Sequence, residues 1–185
     1  RGGRPQGKKS VSAELRVTLE ELFNGTTKKV KLTRKNITLK RPTEKLLEIQ
    51  VQKGWKPGTK VTFEGEGDEY MPGHAQDMVF VIHQKPHATL AREGSNLIYN
   101  ARIPLVDALT GFKLDVQTLD NRILRVNVKD TVHPKYTKII KGEGMPSTKK
   151  PGERGDLVLT FDVIFPKQNM SVEQKIIIKD ALPGN

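Results

Sequence analysis

Cysteine is absent from this chain of 185 residues. That excludes a disulfide framework, a Cys-ligated zinc ribbon and a thiolate nucleophile, and it fits a reducing compartment. Aromatic residues are scarce, with one Trp, three Tyr and six Phe, and none interleaves with basic residues as a base-stacking platform requires. No apolar run approaches membrane-spanning length, so no membrane partner is expected. The start, Arg1-Gly2-Gly3-Arg4-Pro5-Gln6-Gly7-Lys8-Lys9-Ser10, lacks the apolar stretch of a signal peptide. It reads as the end of a flexible linker, and the absence of an initiator Met as the mark of a fragment of a longer protein.

Catalytic constellations are missing as well. Ser10, Ser12, Ser95, Ser147 and Ser171 sit in no Gly-x-Ser-x-Gly elbow. His74, His83, His87 and His133 have no metal-ligand spacing. Gly65-Glu66-Gly67-Asp68-Glu69 begins like a dinucleotide loop but lacks the third glycine and a following helix, and Gly7-Lys8-Lys9-Ser10 is a broken phosphate loop. The carboxylates of Glu64, Glu66, Asp68 and Glu69 lie among glycines that cannot hold them to catalytic precision, so a solvated loop is expected. Neither an enzyme nor a metal or other cofactor is expected.

What the chain does have is a net charge of +11 and an internal repeat. The charge suits either nucleic acid, through counterion release, or a basic patch for an acidic peptide. No helix-turn-helix, zinc-finger or RNA-binding strand signature accompanies it; a basic nucleic-acid-binding β protein is the alternative reading. In the repeat, Leu15-Arg16-Val17-Thr18-Leu19-Glu20-Glu21-Leu22-Phe23-Asn24-Gly25 returns as Ala101-Arg102-Ile103-Pro104-Leu105-Val106-Asp107-Ala108-Leu109-Thr110-Gly111. Gly65-Glu66-Gly67 followed by Asp77-Met78-Val79-Phe80-Val81-Ile82 returns as Gly142-Glu143-Gly144 followed by Asp156-Leu157-Val158-Leu159-Thr160-Phe161. Two tandem copies of one small β domain account for this.

Short alternating runs separated by turn residues predict strands almost throughout. Leu15–Leu19, Val30–Leu32, Leu47–Val51, Ile98–Leu105, Leu114–Val116, Ile123–Val128 and Leu157–Phe165 are such runs. Met78–Ile82 is continuously apolar, as in a strand buried on both sides. Leu19–Phe23 and Val106–Gly111 read as single helical turns, with Gly25 in the left-handed conformation that ends a helix. Asn36–Glu44 reads as a loop or hairpin connection, and Pro86-His87-Ala88 as the boundary between copies. Ser171-Val172-Glu173-Gln174 has the capping-box pattern, so a short helix is expected to follow; alone it is marginal and must dock, in the favoured reading on another chain. The expected class is all-β, two tandem β-sandwich-like domains (residues 13–88 and 89–168) between a linker end (residues 1–12) and a helical C-terminal segment (residues 169–185).

Lys28, Lys29, Lys31 and Lys35 border Val30 and Leu32. If the Val30–Leu32 face is core, nothing follows; if part of it is an open groove, lysines at its rim suit an extended peptide combining apolar side chains with carboxylates.

The repeated segment at Leu15–Gly25, with Lys53-Gly54-Trp55-Lys56-Pro57-Gly58-Thr59-Lys60, Asp107-Ala108-Leu109-Thr110-Gly111 and Gly142-Glu143-Gly144-Met145-Pro146, resembles the C-terminal half of DnaJ-type co-chaperones, the heat shock protein 40 family. The resemblance runs from Ala13 to Pro183, and the Gly/Arg-rich start resembles the end of that family's flexible region. One class of the family inserts Cys-x-x-Cys-x-Gly-x-Gly zinc modules into the first β domain. The short cysteine-free Asn36–Glu44 interval places this chain with type II, the class without zinc. No His-Pro-Asp motif is present, so the J domain lies outside this sequence. The resemblance implies a groove lined by Ala13, Leu15, Val30, Leu32 and Phe80 for unfolded polypeptide. It also implies that Lys28, Lys29 and Lys45 hold the acidic Glu-Glu-Val-Asp tail of the heat-shock-seventy chaperone. It further implies a homodimer through Val172, Ile176, Ile177 and Leu182, in the cytoplasm and also the nucleus. Leu114-Asp115-Val116 carries an acid where Lys31 stands in the first copy, so only the first copy is expected to grip peptide.

Overall fold

The computed structural model describes residues 9–184. The linker stretch over residues 1–8 lies outside the described residues, while Ser10–Ser12 already belong to the first strand. The elements run β1 (Ser10–Val17), α1 (Leu19–Asn24), β2 (Thr26–Asn36), β3 (Arg41–Val51), β4 (Lys60–Phe63), β5 (Glu69–Met71), β6 (His74–Ala75), β7 (Asp77–Gln84), β8 (Leu90–Glu93), β9 (Asn96–Pro104), α2 (Leu105–Thr110), β10 (Phe112–Gln117), β11 (Ile123–Val128), β12 (Thr137–Ile140), β13 (Leu157–Ile164) and α3 (Val172–Ala181). The chain is mainly β.

The duplication is written into the topology. In the first repeat β7 runs between β1, to which it is parallel, and β4, to which it is antiparallel. In the second, β13 runs between β9, parallel, and β12, antiparallel. Each sheet is joined through a six-residue helix to an antiparallel hairpin, β2–β3 or β10–β11. One strand breaks the symmetry: β8 pairs antiparallel with the outer edge of β9, and among the described residues β1 has no such neighbour.

Local chemistry sets the two helix ends. Thr18 caps α1, its hydroxyl accepting from the Glu21 N–H at 3.1 Å while its own N–H donates to the Glu21 carboxylate at 2.9 Å. Gly25 (φ 76°, ψ 156°) is not left-handed helical as the sequence suggested, and Gly111 (φ 89°, ψ 159°) has the same conformation. They occupy an extended, positive-φ region that only glycine populates readily, and a Cβ on Gly111 would lie 2.9 Å from the Val128 carbonyl oxygen. The chain thereby turns from each helix directly into a hairpin strand.

Two other expectations change. Met78–Ile82 is not buried on both faces: Met78, Phe80 and Ile82 enter the core while Val79 and Val81 are half-buried on the other face. Of the loop or hairpin connection expected over Asn36–Glu44 the structure forms the hairpin, with β2 and β3 pairing from Thr26↔Val51 out to Asn36↔Arg41 and only four residues left for the turn. The acidic loop supplies the reason. Glu66 binds Arg34 at 2.8 Å and also Lys45, Asp68 accepts from the Lys35 N–H, and Glu69 accepts from the Thr38 N–H. The carboxylates expected to be solvated instead tie down the far half of the hairpin.

The core is continuous through both repeats. Phe23 of the first lies beneath Arg154 of the second, 4.9 Å from guanidinium to ring centre. Arg92 bridges the repeats, donating to the carbonyls of Trp55 (2.7 Å), Gly54 (3.0 Å) and its neighbour Gly94 (2.8 Å). α3 starts from the expected capping box between Ser171 and Gln174, yet none of its residues is buried. No helix is long and apolar enough to cross a membrane.

Candidate functional site

Strand alternation decides which side chains can act together. On β2, Thr26, Lys28, Val30, Leu32 and Arg34 turn towards the core, while Lys29, Lys31 and Lys35 turn outward and are exposed. On β1, Ala13, Leu15 and Val17 turn inward, and Ala13 and Leu15 pair with Phe80 and Ile82 of β7. Ala13, Val30 and Leu32 pack against the core with part of their surface left open, whereas Leu15 and Phe80 are buried beneath. Val61 and Phe63 of β4 share that half-open layer, and Phe63 meets Phe80 edge-on at 5.8 Å. The sequence reading did not include these two, although alternation in Lys60-Val61-Thr62-Phe63 puts both on the inner face.

The three rim lysines are separated by the same rule. Lys28 and Lys45 are level with the apolar layer, Lys28 opposite Ile49 and Lys45 opposite Leu32. Lys29 lies on the outer face opposite Glu48. Each inner lysine already holds a carboxylate of this chain: Lys28 binds Glu21 at 2.7 Å and Lys45 binds Glu66. Burial works to raise the Glu21 carboxyl, but the Lys28 ammonium and the Thr18 N–H outweigh it and hold the group below the usual carboxylate range.

The second repeat fills the same place. Aligning β1–β7 with β9–β13 by register sets Ala13 against Tyr99 and Leu15 against Ala101. The bulk that lies deep in the first repeat is moved one step outward in the second. Further along that face, where the first repeat has Thr26, Thr59 and Ile82, Phe112 and Tyr136 crowd Phe161, with ring centres 5.8 and 5.7 Å apart, and Tyr136 donates to Asp130 at 3.0 Å. Aligning the hairpins by Gly25 and Gly111 sets Asp115 against Lys29, not Lys31, and Leu114 against Lys28. The Lys29–Glu48 pair becomes Asp115–Arg125 with reversed sign, both at 3.6 Å. Val30 is half-open while its counterpart Val116 is 1% exposed. The two repeats share a frame, but only the first leaves an apolar layer uncovered between inner lysines.

The expected dimer residues are all open to solvent: Val172, Ile176, Ile177 and Leu182 are 70%, 62%, 66% and 45% exposed. Among the described residues, no group of three or more His, Asp or Glu gathers in a metal-binding arrangement.

Residues 11–166 match the family described as the DnaJ C terminal domain. The chain is 40% identical to human DnaJ homolog subfamily B member 5 over 94% of its own length and 51% of that protein. It is 42% identical to DnaJ protein homolog 1 of Drosophila melanogaster over 84% of this chain and 48% of that one. With protein SIS1 of Saccharomyces cerevisiae it shares 38% identity over 85% of this chain and 45% of that one. It thus spans about half the length of the curated relatives it matches. Its first hairpin closes in a cysteine-free four-residue turn. This chain belongs to the DnaJ C-terminal domain family, in the zinc-free type II class of DnaJ co-chaperones.

Proposed function

We propose that this chain is the substrate-binding part of a co-chaperone and acts by holding polypeptide, without catalysing a reaction. Extended segments of unfolded clients place apolar side chains over Ala13, Val30 and Leu32, with Leu15 and Phe80 as the floor. Lys28 and Lys45, at the margins of that layer, take the carboxylates of the acidic tail of a heat-shock-seventy partner, and Lys29 adds long-range attraction from the outer face. Val172, Ile176, Ile177 and Leu182 join two copies, so that two weak sites act on one client. The cytoplasm is the proposed place of action.

One observation carries the reading: the exchange of Tyr99 for Ala13 at equivalent positions, which leaves the first repeat open where the second is filled. The internal partners of the lysines bear on mechanism. An incoming carboxylate exchanges with Glu21 or Glu66, so the lysines stay placed in the free protein, and the tail gains only the difference between the two pairings. Micromolar or weaker binding that falls with salt follows.

The test is a calorimetric titration with a peptide ending in Glu-Glu-Val-Asp, at low and moderate salt. Lys28→Ala and Lys45→Ala are expected to weaken binding severalfold, and Lys29→Ala less. Unchanged affinity in both inner variants would remove the assigned tail site.

A further inference from the structure

The first hairpin is longer than the core beneath it. Strands β2 and β3 have eleven residues each, β10 and β11 six each, and from Thr33 through Leu46 no residue is buried. In the second repeat the hairpin turn belongs to the core, with Leu119 only 4% exposed. In the first, two of the four turn residues are apolar and open to solvent: Ile37 is 44% and Leu39 53% exposed.

This extension is nonetheless tied down. Glu66 binds Arg34 and Lys45, Asp68 accepts from the Lys35 N–H at 2.6 Å, and Glu69 accepts from the N–H and the hydroxyl of Thr38. Inside the turn the Asn36 side chain accepts from the Leu39 N–H at 2.8 Å, and the Lys40 N–H donates to the Ile37 carbonyl at 3.2 Å. Ordering a chain segment costs conformational entropy, and here no packing offsets it. The ties point to a role at the tip.

The tip combines two chemistries. Lys35, Lys40 and Arg41, with Asn36, Ile37 and Pro42, line a shallow depression of about 220 Å³ that no carboxylate lines. The ion pairs of this hairpin use Lys28, Lys29, Lys31, Arg34 and Lys45; among the described residues Lys35, Lys40 and Arg41 have none. Asp68 and Glu69 offset part of that charge, in a chain whose net charge is +11. Peptides and small ligands take concave sites, whereas this is an exposed turn with aliphatic side chains inside a cationic collar. A bilayer with anionic lipid matches both parts, offering phosphates to the collar and acyl chains just beneath them to the tip.

We propose that the tip of the first hairpin docks on an anionic lipid surface. Ile37 and Leu39 enter the boundary between headgroups and acyl chains, and Lys35, Lys40 and Arg41 bind lipid phosphates. The lack of a spanning helix bears on crossing a bilayer, not on lying against one. Leu32 is four residues down β2 from Asn36, roughly 13 Å at strand rise, so the apolar layer of the first repeat stays open while the tip is docked.

The experiment is co-flotation of the full chain with phosphatidylcholine vesicles, with and without phosphatidylserine. Binding is expected only where phosphatidylserine is present. Ile37→Ser with Leu39→Ser is expected to weaken it about tenfold or more, and Lys40→Ser with Arg41→Ser comparably. Lys149→Ser with Lys150→Ser removes the same charge from an exposed loop of the second repeat and is expected to stay within about twofold. Equal loss in that control pair overturns the proposal in favour of general positive charge. Equal binding to neutral vesicles, or none to either kind, also overturns it. So does a parent chain that ignores vesicles but binds a soluble peptide alternating Glu and Leu through the tip, which would make the tip a protein-docking surface. A second measurement needs no variant: lipids spin-labelled in the acyl chain are expected to broaden the Ile37 and Leu39 methyl signals before those of Ile123 and Ile139, which are also exposed. Broadening of Ile123 and Ile139 alone places the contact elsewhere and overturns the assignment.

Discussion

Replacing Ala13 by tyrosine asks directly whether the open layer of the first repeat is the binding surface. The substitution gives the first repeat the residue that its own counterpart carries at Tyr99, on a strand with the same pairing and register, so the backbone accommodates it. The ring then occupies the space available to one apolar client side chain. Burying such a side chain fully contributes roughly 1.5–3 kcal/mol, and losing that contact weakens binding about 10- to 100-fold at roughly 1.4 kcal/mol per decade. The assay is fluorescence anisotropy with a labelled Leu-rich peptide, alongside urea unfolding of the same variant. Ala13→Ser, which changes size very little, is the control and is expected to stay within about twofold. The reasoning is refuted if Ala13→Tyr unfolds at the same urea concentration as the parent and binds the peptide as tightly.

Three further outcomes are expected. Ile176→Glu with Ile177→Glu converts a dimer to a monomer in sedimentation velocity with no shift of the unfolding midpoint, because α3 buries nothing within its own chain; a persisting dimer places the interface elsewhere. Arg92→Ala removes three carbonyl contacts between and within the repeats and is expected to cost about 1.5–3 kcal/mol in urea unfolding, from the usual worth of charge-assisted hydrogen bonds; Arg92→Lys, lacking the fork, does not restore it. The Glu21 carboxyl lies below its ordinary value in the folded chain. Its contribution is therefore complete above the unfolded-state value, about pH 4.3, and is lost as pH falls through the folded value. Glu21→Gln should flatten that acid limb of stability against pH, and an unchanged limb would assign it to other carboxylates.

Much of the architecture was legible because it is periodic. Alternation at Leu15–Val17 and Leu47–Val51, the capping box at Ser171–Gln174 and the two Gly-x-Gly segments reflect constraints acting over a few residues, and each came out as an element or a turn. The site was legible only in part. Alternation separates Lys28 from Lys29, but it does not reveal that Lys28 is paired with Glu21 across a helix end, or that Glu66 reaches Arg34 from 32 residues away. β8 carries one large apolar residue in Leu90-Ala91-Arg92-Glu93 and has no strand signature of its own. Its pairing comes from the neighbouring edge of β9, which a local pattern cannot show. The acidic loop was misread for the same reason, since its carboxylates are partnered by residues distant in the chain.

The sequence by itself determined that this is a duplicated, cysteine-free β protein with a capped C-terminal helix, because repeats, cysteine count and caps are properties of chain order. Tertiary structure decided which copy is open. Ala13 and Tyr99 are ordinary residues on ordinary strands, and their difference acquires meaning only when parallel pairing with Phe80 and Leu159 brings them to the same place in two superimposable frames. Packing alone turns a change of side-chain volume into a vacant surface in one repeat and a filled core in the other.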